Sequence, residues 1–147
     1  MPLKECIQDD TKAAMRAKDK DRLATLRLVS AAIKQREVDE RISLNDNQII
    51  AVLERMLKQR RESITQYRTA GRDDLVAKET FELEIIQAYM PTALDDITIN
   101  RLIDGAIANT SAQSLRDMGK VMALIKDQVQ GRADMADISA RVKARLA

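Results

Sequence analysis

The residue types best suited to chemistry lie late in the chain, in "DMGKVMALIKDQVQGRAD", Asp117 to Asp134. Two of the four glycines fall here, each followed by a cation: Gly119-Lys120 and Gly131-Arg132. If Asp117 is the N-cap of a helix, Gly119 and Lys120 occupy its first turn. A glycine there exposes backbone N–H groups, the helix dipole favours anions, and the lysine adds a phosphate contact. The same residues also have a plainer reading. Gly119 would permit close packing, Gly131 would end the helix, and Lys120 would be a solvated charge. Asp117 counts against an anion site, because its own carboxylate would fill it. Arg132 belongs to the turn after Gly131 and is expected to be exposed. With Lys126, Arg141, Lys143 and Arg145 it makes the C-terminal end locally basic, with 7 Lys/Arg against 4 Asp/Glu between Ser114 and Ala147.

Elsewhere the chemistry is sparse. The chain has no histidine and one cysteine, Cys6. That excludes an internal disulfide, the common zinc patterns, Ser-His or Cys-His pairs and an imidazole base. Glu79, Glu82 and Glu84 could hold a metal or do acid–base work, but no histidine or Gly-rich phosphate loop accompanies them. They read as an exposed acidic face, and no metal, cofactor or catalytic residue is expected. "KQRRES", with Lys58, Arg60 and Arg61 near Glu54 and Glu62, reads as helix-surface ion pairs. Phe81, Tyr67 and Tyr89 are the only aromatics. They sit on apolar stripes and are expected in the core, which leaves no base-stacking platform. Net charge is only +2 in 147 residues, so any nucleic-acid contact must rest on local patches.

The elements that must position these residues are helices. Helix formers dominate and β-branched alternation is missing. Four longer helices are expected: Leu3 to Lys18, with Leu3, Ile7, Ala14 and Met15 inward; Arg22 to Glu37, capped by Asp21; Asp46 to Thr69, with an Asn45–Gln48 capping box; and Asp73 to Tyr89. Pro91, the only internal proline, ends the fourth helix and marks a boundary. Three shorter helices follow: Asp96 to Ala108, Met118 to Val129 and Met135 to Leu146. The expected fold is all-α. A four-helix bundle-like domain at residues 1–91 precedes a three-helix tail at 92–147, too small to be more than marginal alone. No apolar run reaches the length of a membrane span and the N-terminus lacks an apolar signal core. A cytoplasmic location is therefore expected, with no membrane partner.

Three segments, "MRAKDKDRLATLRLVSAAIKQREVD", "RRESITQYRTAGRDDLVAKETFELEIIQAYMP" and "RDMGKVMALIKDQVQGRADMADISARVKARL", together resemble the YqeY family over nearly the whole chain. The last segment also resembles the C-terminal tail of GatB, a component of the glutamine-dependent Asp/Glu-tRNA amidotransferase. The shared pattern falls on Gly119-Lys120, Val121-Met122, Gly131-Arg132-Ala133 and Val142 to Leu146. The resemblance implies a helical bundle followed by a three-helix tail. In the amidotransferase the tail contacts the tRNA elbow. Lys120 and Arg132, with Gly119 and Gly131, would then face tRNA, and charge adds Lys126, Arg141 and Lys143. Expected partners are tRNA and the amidotransferase or aminoacylation machinery. The family resemblance also suggests carbon–nitrogen ligase activity with glutamine as amido donor. Nothing in residues 1–91 looks like the catalytic region of GatB, so the leading expectation is a non-catalytic, tRNA-binding or amidotransferase-associated accessory protein. A protein-interaction module is the alternative.

Overall fold

The structure is a computed structural model and describes residues 2–147. It contains seven α-helices and a short 3-10 turn, and no strand among the described residues. The chain divides into two compact units, Met1–Met90 and Pro91–Ala147.

In the first unit, α1 spans Leu3–Arg16, α2 Lys20–Glu40, α3 Asp46–Thr69 and α4 Asp73–Gln87. The starts of α1, α2 and α3 have identifiable causes. Pro2 enters α1 in extended geometry without capping it, and the Leu3 N–H donates instead to Asp46 Oδ1 at 3.0 Å. An acid at the start of α3 thus satisfies a free donor of α1. Asp19, not Asp21, caps α2: its carboxylate accepts from the Arg22 N–H at 3.3 Å, and Asp21 is already helical. The expected Asn45–Gln48 box is present, with both reciprocal bonds at 2.9 Å. After α3, Gly71 takes φ +70°, a left-handed geometry that costs a side-chain-bearing residue strain. α4 stops two residues before Tyr89. Tyr89 and Met90 donate to carbonyls three residues back, so the helix tightens to 3-10 geometry ahead of Pro91.

Ile7, Val29, Ile33, Leu44, Ile49, Leu53, Met56, Leu57 and Ile86 form the main core. A neighbouring cluster joins Ala14, Leu26 and Ile85, with Leu23 and Tyr89 against it. The Tyr89 hydroxyl donates to the Asp10 carboxylate, tying the end of α4 to α1. Two expected core residues lie outside: Met15 is 52% exposed and Phe81 41%. One position after Phe81, Glu82 is buried, four residues before Ile86 on the row that faces α3. There it meets Arg60 Nε at 3.4 Å. Glu82 therefore does not belong to an exposed acidic face, and Arg60 is not a surface charge. The two make an almost dry ion pair between α3 and α4, in which Arg60 Nε completes no hydrogen bond while Nη1 donates to the Met56 carbonyl at 3.4 Å.

In the second unit, α5 spans Asp96–Thr110, α6 Met118–Val129 and α7 Met135–Leu146, with a 3-10 turn at Leu115–Asp117. Asp95 caps α5 through the Thr98 N–H at 2.7 Å, and Asp134 caps α7 through the Ala136 N–H at 2.9 Å. Gly131, at φ +75°, makes the turn between α6 and α7. The core is wholly aliphatic: Ile99, Ile103 and Ala106 from α5, Val121, Ile125 and Val129 from α6, and Ile138, Val142 and Leu146 from α7. These are the inward positions that helical spacing selects.

Candidate nucleic-acid surface of the tail unit

The cations of the tail separate into two sets once their partners are known. Arg141 is committed to the fold. Its guanidinium donates to Asp96 Oδ1 at 2.6 Å, Asn100 Oδ1 at 3.2 Å and Asp137 Oδ2 at 3.0 Å. One turn on, Arg145 pairs with Asp104. Asp96, Asn100 and Asp104 recur every four residues on α5, and Asp137, Arg141 and Arg145 do so on α7. The result is a polar ladder beside the aliphatic core. The adjoining Asp96 acceptor, then Asp137, hold the Arg141 guanidinium above its usual pKa.

Arg132 is also committed. Its Nε donates to the Thr92 carbonyl at 2.9 Å, and its own carbonyl accepts from the Leu94 N–H at 2.8 Å. It is half-buried rather than exposed. Its role in the fold is to fasten the segment Thr92–Leu94 to the turn between α6 and α7. The motif cation after Gly131 is thus held through its Nε by a backbone carbonyl.

The second set is open to solvent. Lys126 and Lys143 are exposed and have no ion pair among the described residues. Lys143 lies two residues from Arg141, about 200° round α7, so it faces away from the ladder. The Lys120 side chain is 71% exposed, and its only ion partner among the described residues is Asp117 Oδ1, at 3.9 Å. Arg116, in the preceding 3-10 turn, is exposed as well, and sequence reasoning did not single it out. Lys120 and Lys126 sit six residues apart, so they leave α6 in directions about 120° apart.

Asp117 does not do what its position suggests. It has no side-chain capping bond to α6. Its Oδ2 turns back and accepts from the Gln113 N–H at 3.0 Å. That backbone donor, helped by Ser114 and Lys120, holds the carboxyl below the ordinary carboxylate range. The first turn of α6 is therefore not occupied by its own aspartate. Gly119 is different again from expectation. It is exposed, its φ is not left-handed, and a Cβ built on it would meet no atom within 4 Å. No packing within the chain requires a glycine there.

A family model described as Yqey-like protein matches residues 4–146. The chain belongs to the YqeY-like family. Among the similar proteins are three named "Altered inheritance of mitochondria protein 41, mitochondrial". That of Pyrenophora tritici-repentis is 31% identical over 130 residues, covering 86% of this chain and 71% of the relative. That of Kluyveromyces lactis is 31% identical over 140 residues, covering 94% and 72%. That of Eremothecium gossypii is 42% identical over 85 residues, covering 57% and 46%. These names overturn the expectation of a cytoplasmic location, since each relative is named as a mitochondrial protein. The low apolar content of the N-terminus, on which that expectation rested, bears on a secretory signal and not on organellar placement. No helix among the described residues is long and apolar enough to cross a membrane.

Proposed function

We propose that this YqeY-like chain is an accessory RNA-binding protein whose tail unit contacts the backbone of tRNA. The observation that carries the reading is the α6 start. Gly119 sits in an exposed first helical turn where no neighbour needs it, beside an exposed lysine. A glycine in a first helical turn adds no packing of its own, and here it leaves the backbone N–H groups open to close approach of a phosphate backbone. Lys120 then supplies charge to the same phosphates, and Lys126 and Lys143 extend the contact round the unit. Arg132 and Arg141 shape this surface rather than lead the contact: Arg132 Nε is held by the Thr92 carbonyl, and Arg141 is held by three acceptors of its own unit. Association with a tRNA-dependent amidotransferase follows as the setting, from the likeness of the tail segment to that of GatB.

Titration of deacylated tRNA at several salt concentrations tests this. Lys120→Glu with Lys126→Glu and Lys143→Glu should weaken binding across tRNA sequences. It should also flatten the log–log salt slope by about one for each lysine reversed. Thermal stability should be unchanged. Binding that survives all three reversals with its slope intact would overturn the proposal.

A further inference from the structure

α2 is apolar on two opposite faces. Leu26, Val29 and Ile33 are buried in the core of their unit. On the far side, Ala24, Leu28, Ala31, Gln35 and Val38 follow one another at alternating steps of four and three residues, and all five are solvent-accessible. Leu28 is 46% exposed and Val38 60%. Ile42, just beyond the helix, keeps the step and is 40% exposed. Alternation of four and three is the spacing of a coiled-coil seam, which stays on one side of a helix and accepts a second helix along its length.

The flanks of the seam differ. On the solvent side Lys20, Arg27, Lys34 and Arg41 recur every seven residues and all are exposed. None of them is in a salt bridge among the described residues. On the other side Thr25 and Ala32 turn toward the core, and a groove of about 510 Å³ between α2 and α3 begins at Ala32 and Gln35 and runs to Val52, Arg55 and Met56.

We propose that this seam docks an amphipathic helix of a partner protein, one with an apolar edge at four-three spacing and a row of carboxylates beside it. The charge pattern selects that occupant. A second copy of α2 laid antiparallel sets the cationic row against itself. Laid parallel, it sets Lys20, Arg27 and Lys34 against Thr25, Ala32 and Asp39, one carboxylate for three cations. A partner helix with acids at the same seven-residue spacing meets Lys20, Arg27 and Lys34, and its apolar residues cover Leu28 and Val38. Small Ala24 and Ala31 admit larger side chains opposite them. Gln35, whose amide donates to Asp39 Oδ1 at 2.9 Å, is the single polar seam position and fixes the register.

The test uses the full chain and a fluorescein-labelled synthetic helix of roughly 21 residues, three heptads, with leucine at the seam positions and glutamate along one flank. A second peptide carries lysine in place of each glutamate. Anisotropy should show the acidic peptide binding at least about tenfold more tightly than the basic one. Leu28→Asp with Val38→Asp should abolish binding. Arg27→Glu with Lys34→Glu should reverse the preference between peptides. All four positions are exposed, so circular dichroism should match the parent chain; a variant that fails this check is replaced by Leu28→Ser with Val38→Ser, for which the same loss is expected. Equal binding of the two peptides, or binding unchanged by the seam variants, overturns the proposal. So does sedimentation showing a dimer of the chain that Leu28→Asp dissociates. So does a loss of tRNA binding in Arg27→Glu with Lys34→Glu when neither peptide binds.

Discussion

The two units keep their charges in opposite places. In Met1–Met90 an arginine and a glutamate, Arg60 and Glu82, are drawn between helices with side chains only 13% and 11% exposed. The same unit leaves an apolar row of α2 in solvent. In Pro91–Ala147 the core is purely aliphatic, and the charges form a ladder at the surface, where Arg141 and Arg145 reach back to α5. The contrast teaches that a count of cations says little about what a surface binds. The tail holds 8 Lys/Arg against 7 Asp/Glu over residues 92–147, yet three of its arginines are partnered within its own fold. What remains for a partner is Lys120, Lys126 and Lys143 with Arg101 and Arg116 in the tail and, in the other unit, an unpaired cationic row beside an apolar seam.

Matched cavities in the two cores should break the comparison most sharply. Ile125→Ala and Leu53→Ala each remove a fully buried aliphatic side chain and cost on the order of 3 kcal/mol. A unit of tail size is marginal, so Ile125→Ala should unfold it. Hydrogen exchange should then show protection lost from residues 91–147 and kept in 1–90. Leu53→Ala should leave both units folded at 25 °C with a lower midpoint for the first.

The buried pair comes next. Glu82→Gln takes the carboxylate partner from the Arg60 guanidinium in a nearly dry site, at a cost of roughly 3 kcal/mol, read from denaturant unfolding. Arg141→Ala breaks a ladder whose Asp96 partner is 80% exposed, and should move the midpoint far less. Equal shifts would mean that the two units do not differ in how their charges are held.

Two glycines give a smaller and more pointed effect. A Cβ at Gly105 of α5 or Gly119 of α6 would meet nothing within 4 Å. Both Gly→Ala changes should therefore stabilise by about 0.5–1 kcal/mol. Only Gly119→Ala should also weaken tRNA binding. If both variants bind tRNA like the parent chain, the glycine beside Lys120 has no external use.

The smallest difference is in alkaline stability. Burial, then the hydrogen bond and charge of Asp10, push the Tyr89 phenol well above its ordinary value. A folded pKa above the unfolded one means that the contribution is complete below the unfolded pKa of about 10 and is lost as pH rises through the folded value. The first unit should weaken on that alkaline limb, and Tyr89→Phe should remove the tyrosine's part of it. The second unit contains no tyrosine and should lack this limb. A pH series of thermal melts with and without the substitution checks this.

Much of the fold was legible because it rests on local rules. The Asn45–Gln48 box, the bounds of α3, α6 and α7, and the aliphatic rows of the tail follow from capping chemistry and helical spacing. What escaped depends on which helix lies opposite. Phe81 and Glu82 are adjacent, and periodicity favoured the aromatic. The row through Ile86 instead carries Glu82 inward, because Arg60 awaits it on α3. Met15 failed for the same reason: an apolar residue at helical spacing is buried only where a neighbour covers it. The candidate surface was half legible. The exposed lysines could be placed by their turn about the helix. The capture of Arg132 by the Thr92 carbonyl could not, since a forty-residue contact leaves no local trace. The α5–α7 ladder did leave one: acids or amide at 96, 100 and 104 and charges at 137, 141 and 145, both at four-residue steps. The exposed seam of α2 had a signature too, hidden because the buried row of the same helix already accounted for its apolar content.

The central claim is that the tail meets RNA through its free lysines, Arg116 and the Gly119 turn while Arg132, Arg141 and Arg145 serve the fold. Photo-crosslinking of bound tRNA followed by peptide mapping reads this directly. Crosslinks are predicted at Arg116–Val121 and near Lys126 and Lys143, with none at Arg132 or Arg141. Crosslinks confined to residues 1–90, or centred on Arg132 and Arg141, would contradict it.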